Sequence, residues 1–145
     1  MKKHHEPVLN KVLLIDDAEI DRTISMKMIE AVNLAGEIVV KSNIPSALDY
    51  IYKLLDRQEP LFDVIFLDLN LPQYNGFHFL LELKQAMYKY EELKKIQVVI
   101  LSAYLDKYSE MAFNNFSFVA DRLTKPLSPE KLDDLLTKLK EAELH

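Results

Sequence analysis

The sequence contains no cysteine and no tryptophan, and only two of its 145 residues are glycine. Without cysteine the chain can form no disulfide, no thiolate zinc site and no cysteine nucleophile, a composition typical of a reducing compartment. Two isolated glycines, Gly36 and Gly76, cannot form a glycine-rich loop of the kind that cradles phosphates in nucleotide-binding proteins. We therefore expect a cytoplasmic protein and find little support for a nucleotide or flavin site.

An excess of positive charge and long apolar runs are also absent. The formal net charge is −5, which argues against general binding to nucleic acid or to an anionic membrane. No apolar run is long enough to cross a bilayer, and the first residues, MKKHHEP, contain no apolar stretch of signal-peptide length. Because 49% of the residues are apolar, the chain can bury the core of one domain.

Five short apolar runs predict strands, and segments with helical period lie between them. The runs are Val12–Ile15, Ile38–Val40, Val64–Leu67, Val98–Leu101 and, with a more mixed composition, Phe116–Ala120. The first, third and fourth runs are continuous rather than alternating, as in strands covered on both faces, which indicates a parallel sheet. Five strand–helix repeats predict right-handed crossovers with helices on both faces of that sheet.

The helices are predicted from apolar residues that recur three or four positions apart. In the first helical segment these residues are Ile24, Met28 and Val32. The last segment starts with Ser128 as N-cap and Pro129 at the first helical position, and its leucines form one apolar stripe. Weaker patterns predict a helix over residues 106–115. Residues 84–97 are predicted to extend the third helix or the loop after it. This segment is either a solvated helix end or a contact for a partner.

Polar side chains follow the predicted strands at the edge where parallel sheets bind ligands. In chain order they are Asp16 and Asp17 after the first strand, Asp68 after the third, Ser102 after the fourth and Lys125 after the fifth. Two unit charges about 4 Å apart interact by roughly 4 kcal/mol at an effective dielectric near 20. Three neighbouring carboxylates therefore need a proton or a cation between them, and Mg²⁺, which prefers carboxylates, water and phosphate oxygens, suits such an edge.

With these residues in this order, the chain resembles the receiver domains of two-component response regulators. The resemblance covers residues 10–142 and rests on four motifs at strand ends, namely Asp16-Asp17, Asp68 in DVIFLDLNLPQYNG, Ser102-Ala103 and Lys125-Pro126. It implies an α/β, flavodoxin-like (βα)5 three-layer sandwich with a five-stranded parallel sheet in the order 2-1-3-4-5. Residues 1–9 are then an N-terminal tail and residues 10–142 the receiver domain, and we expect no output domain.

The resemblance implies a phosphoacceptor and a metal site. Asp68 is the implied acceptor of a phosphoryl group, which comes from a sensor histidine kinase or a histidine phosphotransfer protein. Asp17 and Asp68 are implied direct ligands of Mg²⁺, together with the backbone carbonyl of Asn70. Asp16 is implied to act mainly through a metal-bound water.

The remaining implied residues contact the phosphoryl group or report its presence. Lys125 is implied to contact a phosphoryl oxygen, Ser102 to donate its hydroxyl to the phosphoryl group, and the Lys125–Pro126 bond to be cis. Arg122 occupies the position where the family commonly has an aromatic residue that rotates during switching, so that aromatic switch cannot operate here. Tyr104 occupies a variable position thought to tune dephosphorylation, where a bulky ring could shield the phosphoryl group from water.

Each residue taken alone also has a simpler interpretation. Asp16 or Asp17 could cap the first helix, and Asp68 could begin a turn. Ser102 alone is more often a loop hydroxyl, and Lys125 alone is more often a solvated cation. The occurrence of all of them at successive strand ends favours the site, whereas Tyr74-Asn75-Gly76 is interpreted as a turn in which Gly76 provides backbone freedom.

The sequence therefore predicts a signalling protein that is not an enzyme beyond its own phosphorylation and dephosphorylation. It is expected to bind an unknown protein target when phosphorylated, and to have no nucleic-acid or membrane partner. One alternative is a phosphohydrolase resembling the haloacid dehalogenase family, which carries D-x-D where this chain has Asp68-Leu69-Asn70. The other is a flavodoxin-like nucleotide or flavin binder, which the shortage of glycine disfavours.

Overall fold

Strands and helices alternate along residues 6–69 and 76–143, which a computed structural model describes. The strands are β1 Leu9–Ile15, β2 Ala35–Lys41, β3 Val64–Asp68, β4 Gln97–Ser102 and β5 Val119–Thr124. The α-helices are α1 Glu19–Ala31, α2 Ile44–Arg57, α3 Gly76–Lys89, α4 Lys107–Asn115 and α5 Pro129–Glu143, and a 3-10 helix, η1, spans Glu91–Lys95. None of the helices within these ranges combines the length and apolar character that a membrane span requires.

The five strands form one parallel sheet in the order β2-β1-β3-β4-β5, which confirms the predicted topology. At the carboxyl edge, Ile15 pairs with Leu67 and Ser102 pairs with Thr124. The chain moves outwards from β1 to β2 and then returns to β3 on the other side of β1. The carboxyl ends of β1 and β3 therefore border the crevice in which open α/β sheets bind ligands.

Hydrophobic residues pack on both faces of the sheet and give the predicted three layers. Within β1, Leu13 and Ile15 belong to the core under α2, α3 and α4, whereas Val12 and Leu14 belong to the core under α1 and α5. All four side chains are fully buried, and each such side chain contributes about 1.5–3 kcal/mol relative to exposure. The continuous apolar run in the sequence is thus explained by burial on both sides.

The fifth strand lies three residues later than the sequence predicted. The predicted run, Phe116–Ala120, starts at the C-cap of α4, and β5 spans Val119–Thr124. Phe116 is buried in the loop, where its ring lies 6.4 Å from that of Phe77 and 5.6 Å from that of Phe118. The apolar run therefore closes the core before the strand begins, and the edge strand itself carries polar residues.

The helix predictions are confirmed except for the buried side of α1. Of the predicted stripe, Val32 is buried and Met28 packs against the core, but Ile24 is 38% exposed and the buried residues within α1 are Ser25 and Ile29. In α5 the hydroxyl of Ser128 accepts from the N–H of Lys131 at 3.2 Å, as expected of its N-cap. The 84–97 segment consists of the end of α3, η1 and the start of β4.

Candidate functional site

Three carboxylates and one ammonium lie together at the carboxyl edge of the sheet. Asp16 follows β1, Asp68 ends β3 and Lys125 follows β5, so the parallel sheet brings all three to the same edge. One oxygen each of Asp16, Asp17 and Asp68 lie within 4.8 Å of one another. Asp17 is exposed, while the other two carboxylates are buried, at 0% and 5% exposure. The structure thus brings together the predicted acidic residues and the predicted lysine.

The turn between β1 and α1 orients the carboxylate of Asp16. Its Oδ1 atom accepts a hydrogen bond from the N–H of Ala18 at 3.0 Å, and its backbone carbonyl accepts from Arg22 Nη1 at 2.9 Å. The N-cap position of α1 is Ala18, which has no side-chain cap, so neither aspartate caps this helix from that position. Asp16 therefore uses one carboxylate oxygen to shape the turn and presents the other, Oδ2, to Lys125.

The ammonium of Lys125 provides the positive charge that partly balances the carboxylates of the site. Its Nζ atom lies close to three carboxylate oxygens, 2.8 Å from Asp16, 3.1 Å from Asp21 and 3.2 Å from Asp68. Burial alone would lower the pKa of Lys125, but the neighbouring carboxylates outweigh burial and raise the pKa above its ordinary value. The ammonium consequently remains charged at neutral pH and partly offsets the negative charge around it.

The three-carboxylate cluster of Asp16, Asp17 and Asp68 is a candidate metal site. Carboxylate oxygens at this spacing are the donors that hard divalent cations take in proteins. The buried Oδ2 atom of Asp16 has the Lys125 ion pair but, within the described part of the chain, no aligned hydrogen bond. Such an oxygen is costly to bury, so the residues present fit a cation. Asn70, predicted to add a backbone carbonyl, lies outside the described residues.

Ser102 is at the same edge, with its hydroxyl turned towards the loop that follows β4. The residue is 1% exposed, and its Oγ atom donates to the carbonyl oxygen of Tyr104 at 2.7 Å. The backbone carbonyl of Ser102 also accepts from the N–H of Lys125 at 2.8 Å. The side chain of Tyr104 is 66% exposed. Ser102 therefore links the edge of the sheet to a loop whose aromatic side chain faces solvent.

Arg122 contacts the first turn of α4. Its Nη1 atom donates to the hydroxyl of Ser109 at 3.2 Å. Ser109 is fully buried and forms a capping box with Asp106, in which each residue's side chain bonds to the other's backbone N–H. The guanidinium thus ties the middle of β5 to the first turn of α4.

A second lysine fixes the backbone on both sides of Lys125. The ammonium of Lys131 donates to the carbonyl and hydroxyl oxygens of Thr124 at 2.8 and 2.9 Å, and to the carbonyl of Pro126 at 2.9 Å. The Lys125–Pro126 peptide bond is cis, which confirms the prediction. These three hydrogen bonds attach the loop after β5 to the first turn of α5.

Asp21 also contacts Lys125, and the sequence did not predict this residue as part of the site. It lies in the first turn of α1, and its Oδ2 atom accepts a hydrogen bond from Lys125 Nζ at 3.1 Å. Asp17 precedes the N-cap of α1, so helical spacing does not relate the two aspartates and the sequence offered no such signal for Asp21. The 104 positions that separate Asp21 from Lys125 explain why the contact itself was not visible.

Comparisons with known proteins point to one family. The model of the family described as "Response regulator receiver domain" matches residues 12–137. The sensory transduction protein LytT of Bacillus subtilis is 31% identical over 90% of this chain and 48% of LytT, so the chain spans about half of that relative's length. The probable methanogenesis regulatory protein FilR2 of Methanothrix harundinacea is 30% identical over 90% of this chain and 81% of FilR2.

A solved structure gives the same result at the level of the fold. The crystal structure of a two-component response regulator from Cytophaga hutchinsonii is similar to this chain with a TM-score of 0.80 and 25% sequence identity. The similarity covers 92% of this chain and 98% of that one. The similarity in fold therefore covers nearly the whole of this chain.

Proposed function

The chain belongs to the response regulator receiver domain family, and on this premise we propose that it is a phosphorylation switch with Asp68 as phosphoacceptor. The position of Asp68 supports this most directly. The carboxylate ends β3, belongs to the three-carboxylate cluster and lies 3.2 Å from the ammonium of Lys125. The proposed donor is a cytoplasmic sensor histidine kinase or a histidine phosphotransfer protein. As a receiver domain, the chain is a signalling protein rather than a conventional enzyme.

In the proposed transfer, a carboxylate oxygen of Asp68 attacks the phosphorus of a phosphohistidine on the donor protein. The oxygen–phosphorus bond forms while the nitrogen–phosphorus bond breaks. The imidazole nitrogen keeps the electron pair of that bond, the ring takes up a proton, and Asp68 becomes an acyl phosphate. Such a transfer depends on positioning and on neutralisation of charge, and Lys125 already lies beside the acceptor carboxylate.

Mg²⁺ is the proposed cofactor of this transfer. Asp17 and Asp68 would hold it directly, together with the backbone carbonyl of Asn70, and Asp16 would act through a metal-bound water. When bound, Mg²⁺ supplies positive charge that offsets both the carboxylates and the incoming phosphoryl oxygens. The close spacing of the three carboxylates supports this assignment.

The hydroxyl of Ser102 is proposed to report the phosphorylated state. It now donates to the neutral carbonyl of Tyr104 at 2.7 Å. A phosphoryl oxygen on Asp68 is a charged acceptor, and hydrogen bonds to charged acceptors are about twice as strong as neutral ones. The hydroxyl would therefore turn to the phosphoryl group and release the loop between β4 and α4, and the ring of Tyr104 would move with it and slow the entry of water.

The hydrogen bond between Arg122 and Ser109 is proposed to carry this movement to the output surface. It connects β5 to the first turn of α4, which the loop after Ser102 enters. Exposed apolar side chains lie in and next to this turn, namely Tyr104, Leu105, Tyr108 and Met111. The downstream protein is proposed to bind the face formed by α4, β5 and α5 through these side chains.

Intact-mass measurement after incubation with Mg²⁺ and acetyl phosphate tests the acceptor. The wild type is expected to gain one phosphoryl group, and Asp68→Asn none. Asp63→Asn is the matched control, because it makes the same substitution at the residue before β3 and is expected to gain the group. A gain by Asp68→Asn would reassign the acceptor. The absence of any gain under conditions that label an ordinary receiver would overturn the proposed function, and sustained turnover of phosphate esters would favour the hydrolase alternative.

A further inference from the structure

Asp21 contacts the site from outside the three-carboxylate cluster. Its Oδ2 atom lies 3.1 Å from Lys125 Nζ, and its side chain is 41% exposed. The two other carboxylates that contact this ammonium are buried, with side-chain exposures of 0% for Asp16 and 8% for Asp68. Asp21 therefore approaches the lysine from the solvent side, where none of the implied phosphoryl or metal contacts requires a carboxylate.

Lys125 donates hydrogen bonds to Asp21 and Asp68, and the carboxylate of Asp16 lies beside it as a third negative group. An ammonium has three N–H groups, and three carboxylate oxygens lie within 3.2 Å of the nitrogen. A phosphoryl oxygen that approaches Lys125 must therefore compete with carboxylates that already surround its ammonium. Asp16 is buried and would lose its charge partner, and Asp68 itself carries the phosphoryl group. Asp21 is the carboxylate that water can solvate again after release, so its separation costs least.

We propose that Asp21 is a positioning residue that holds Lys125 in the resting site and is displaced when an anionic phosphoryl group arrives on Asp68. This inference rests on the proposed function. Asp21 then competes with the phosphoryl oxygens for the ammonium, and its negative charge also repels them. Loss of that charge should free Lys125 and strengthen the binding of a phosphoryl-like anion.

A helix-stabilising role is the competing explanation for an aspartate at this position. Acidic residues in the first turn of a helix interact favourably with its dipole, and α1 has two of them, Glu19 and Asp21. Glu19→Gln is therefore a matched control, because it removes one negative charge from the same helical turn. If the dipole alone matters, Asp21→Asn and Glu19→Gln both change the stability of α1, and neither strengthens anion binding selectively.

Calorimetric titration with beryllofluoride, an anion that mimics a phosphoryl group on a carboxylate, separates these roles. The dissociation constant is measured at saturating Mg²⁺, and that of Mg²⁺ alone is measured separately. Asp21→Asn is expected to bind beryllofluoride about fivefold more tightly than the wild type, and Glu19→Gln to stay within about twofold. Asp21→Glu, which keeps the charge, is expected to return the affinity towards that of the wild type.

Each result of this titration decides between the roles. Equal affinities for Asp21→Asn and Glu19→Gln, or weaker binding by Asp21→Asn, would overturn the positioning role and leave the proposed function intact. Weaker binding of Mg²⁺ alone by Asp21→Asn but not by Glu19→Gln would make Asp21 a metal ligand instead. Failure of the wild type to bind beryllofluoride in the presence of Mg²⁺ would overturn the proposed function and this inference with it.

Discussion

The two ends of β3 hold an aspartate in different ways. At the amino end, Asp63 accepts a hydrogen bond through Oδ2 from the backbone N–H of Asn10 at 2.7 Å, and the N–H of Lys11 lies 3.4 Å away. At the carboxyl end, Asp68 is held by the side chain of Lys125 at 3.2 Å. Backbone amides cannot rotate away from a carboxylate, whereas an ammonium on a flexible stem can exchange partners. Asp63 therefore joins β3 to β1 through backbone amides, whereas the ion pair of Asp68 with Lys125 involves a side chain that can change its partner.

The lysines at the two edges of the sheet also differ in the groups that contact their ammonium. At the amino edge the ammonium of Lys11 lies over two aromatic rings, 5.3 Å from the centroid of Tyr50 and 5.1 Å from that of Phe62. At the carboxyl edge Lys125 compensates three carboxylates. At the amino edge, the charge of Lys11 is thus stabilised by side chains of the fold. At the carboxyl edge, negative charge is concentrated, and a ligand can neutralise it.

The largest effect on stability is expected when Lys125 is replaced. In the absence of divalent cations, Lys125→Met should lower the free energy of unfolding by about 3 kcal/mol, because the buried carboxylate of Asp16 loses its counter-charge. Added Mg²⁺ should restore part of this loss. Lys11→Met, the matched change at the other edge, should cost about 1 kcal/mol or less. Urea unfolding in EDTA and in Mg²⁺ measures both, and equal losses for the two variants would contradict the comparison.

Replacement of Asp63 or Asp68 should change the free energy of unfolding less than replacement of Lys125, and the two replacements should differ from each other. Asp63→Ala is expected to destabilise by about 1–3 kcal/mol, because backbone donors of β1 lose their acceptor. Asp68→Ala should leave the stability without Mg²⁺ unchanged or higher, since it removes repulsion within the carboxylate cluster. Chemical denaturation of both variants provides the measurement. A larger loss for Asp68→Ala than for Asp63→Ala would show that the assignment of structural and reactive ends is wrong.

The smallest effects are expected when exposed tyrosines are replaced by alanine. Tyr104→Ala should change stability by less than about 0.5 kcal/mol and shorten the phosphoryl lifetime about twofold to fivefold, which corresponds to a barrier lower by about 0.4–1 kcal/mol. Tyr88, at the far end of α3, is 81% exposed and serves as the control, because Tyr88→Ala should leave the lifetime unchanged. Loss of the label over time by intact mass measures this, and equal lifetimes would remove the shielding role of Tyr104.

The fold was predictable where burial imposes a simple pattern. β1, β3 and β4 lie inside the sheet and are covered on both faces, so their apolar runs identified them directly. β5 lies at the edge and carries Asp121 and Arg122, so its pattern is mixed and the preceding phenylalanines misled the prediction. In α1 the prediction was wrong for Ile24, which is exposed, because hydrophobicity alone does not show which side of a helix faces the core.

The reason for Gly76 could not be read from the sequence either. A turn was expected to need its backbone freedom, but the residue begins α3 and no glycine in the described chain has a positive φ. A Cβ atom at this position would lie 2.9 Å from the Cα of Leu69 and 2.6 Å from its Cδ1. The glycine is thus required by the close approach of α3 to the residue after Asp68, a contact that depends on the tertiary structure.

The site was predictable as far as strand ends determine it. A parallel sheet brings the carboxyl ends of its strands to one edge, so Asp16, Asp68 and Lys125 could be grouped before any distance was known. The contact of Asp21 with Lys125 and that of Arg122 with Ser109 depend on where helices lie against the sheet. Those placements follow from side-chain packing between distant segments, which local spacing does not describe.

The attachment of the loop after β5 has a consequence for the speed of the response. Lys131 anchors the backbone at Thr124 and Pro126, so the part of Lys125 that is left to move is its side chain. Rotamer changes take picoseconds to nanoseconds, whereas loop motions take nanoseconds to microseconds. In the proposed switch, Lys125 would therefore meet an arriving phosphoryl group well before the loop between β4 and α4 rearranges, and that loop would set the time needed to switch.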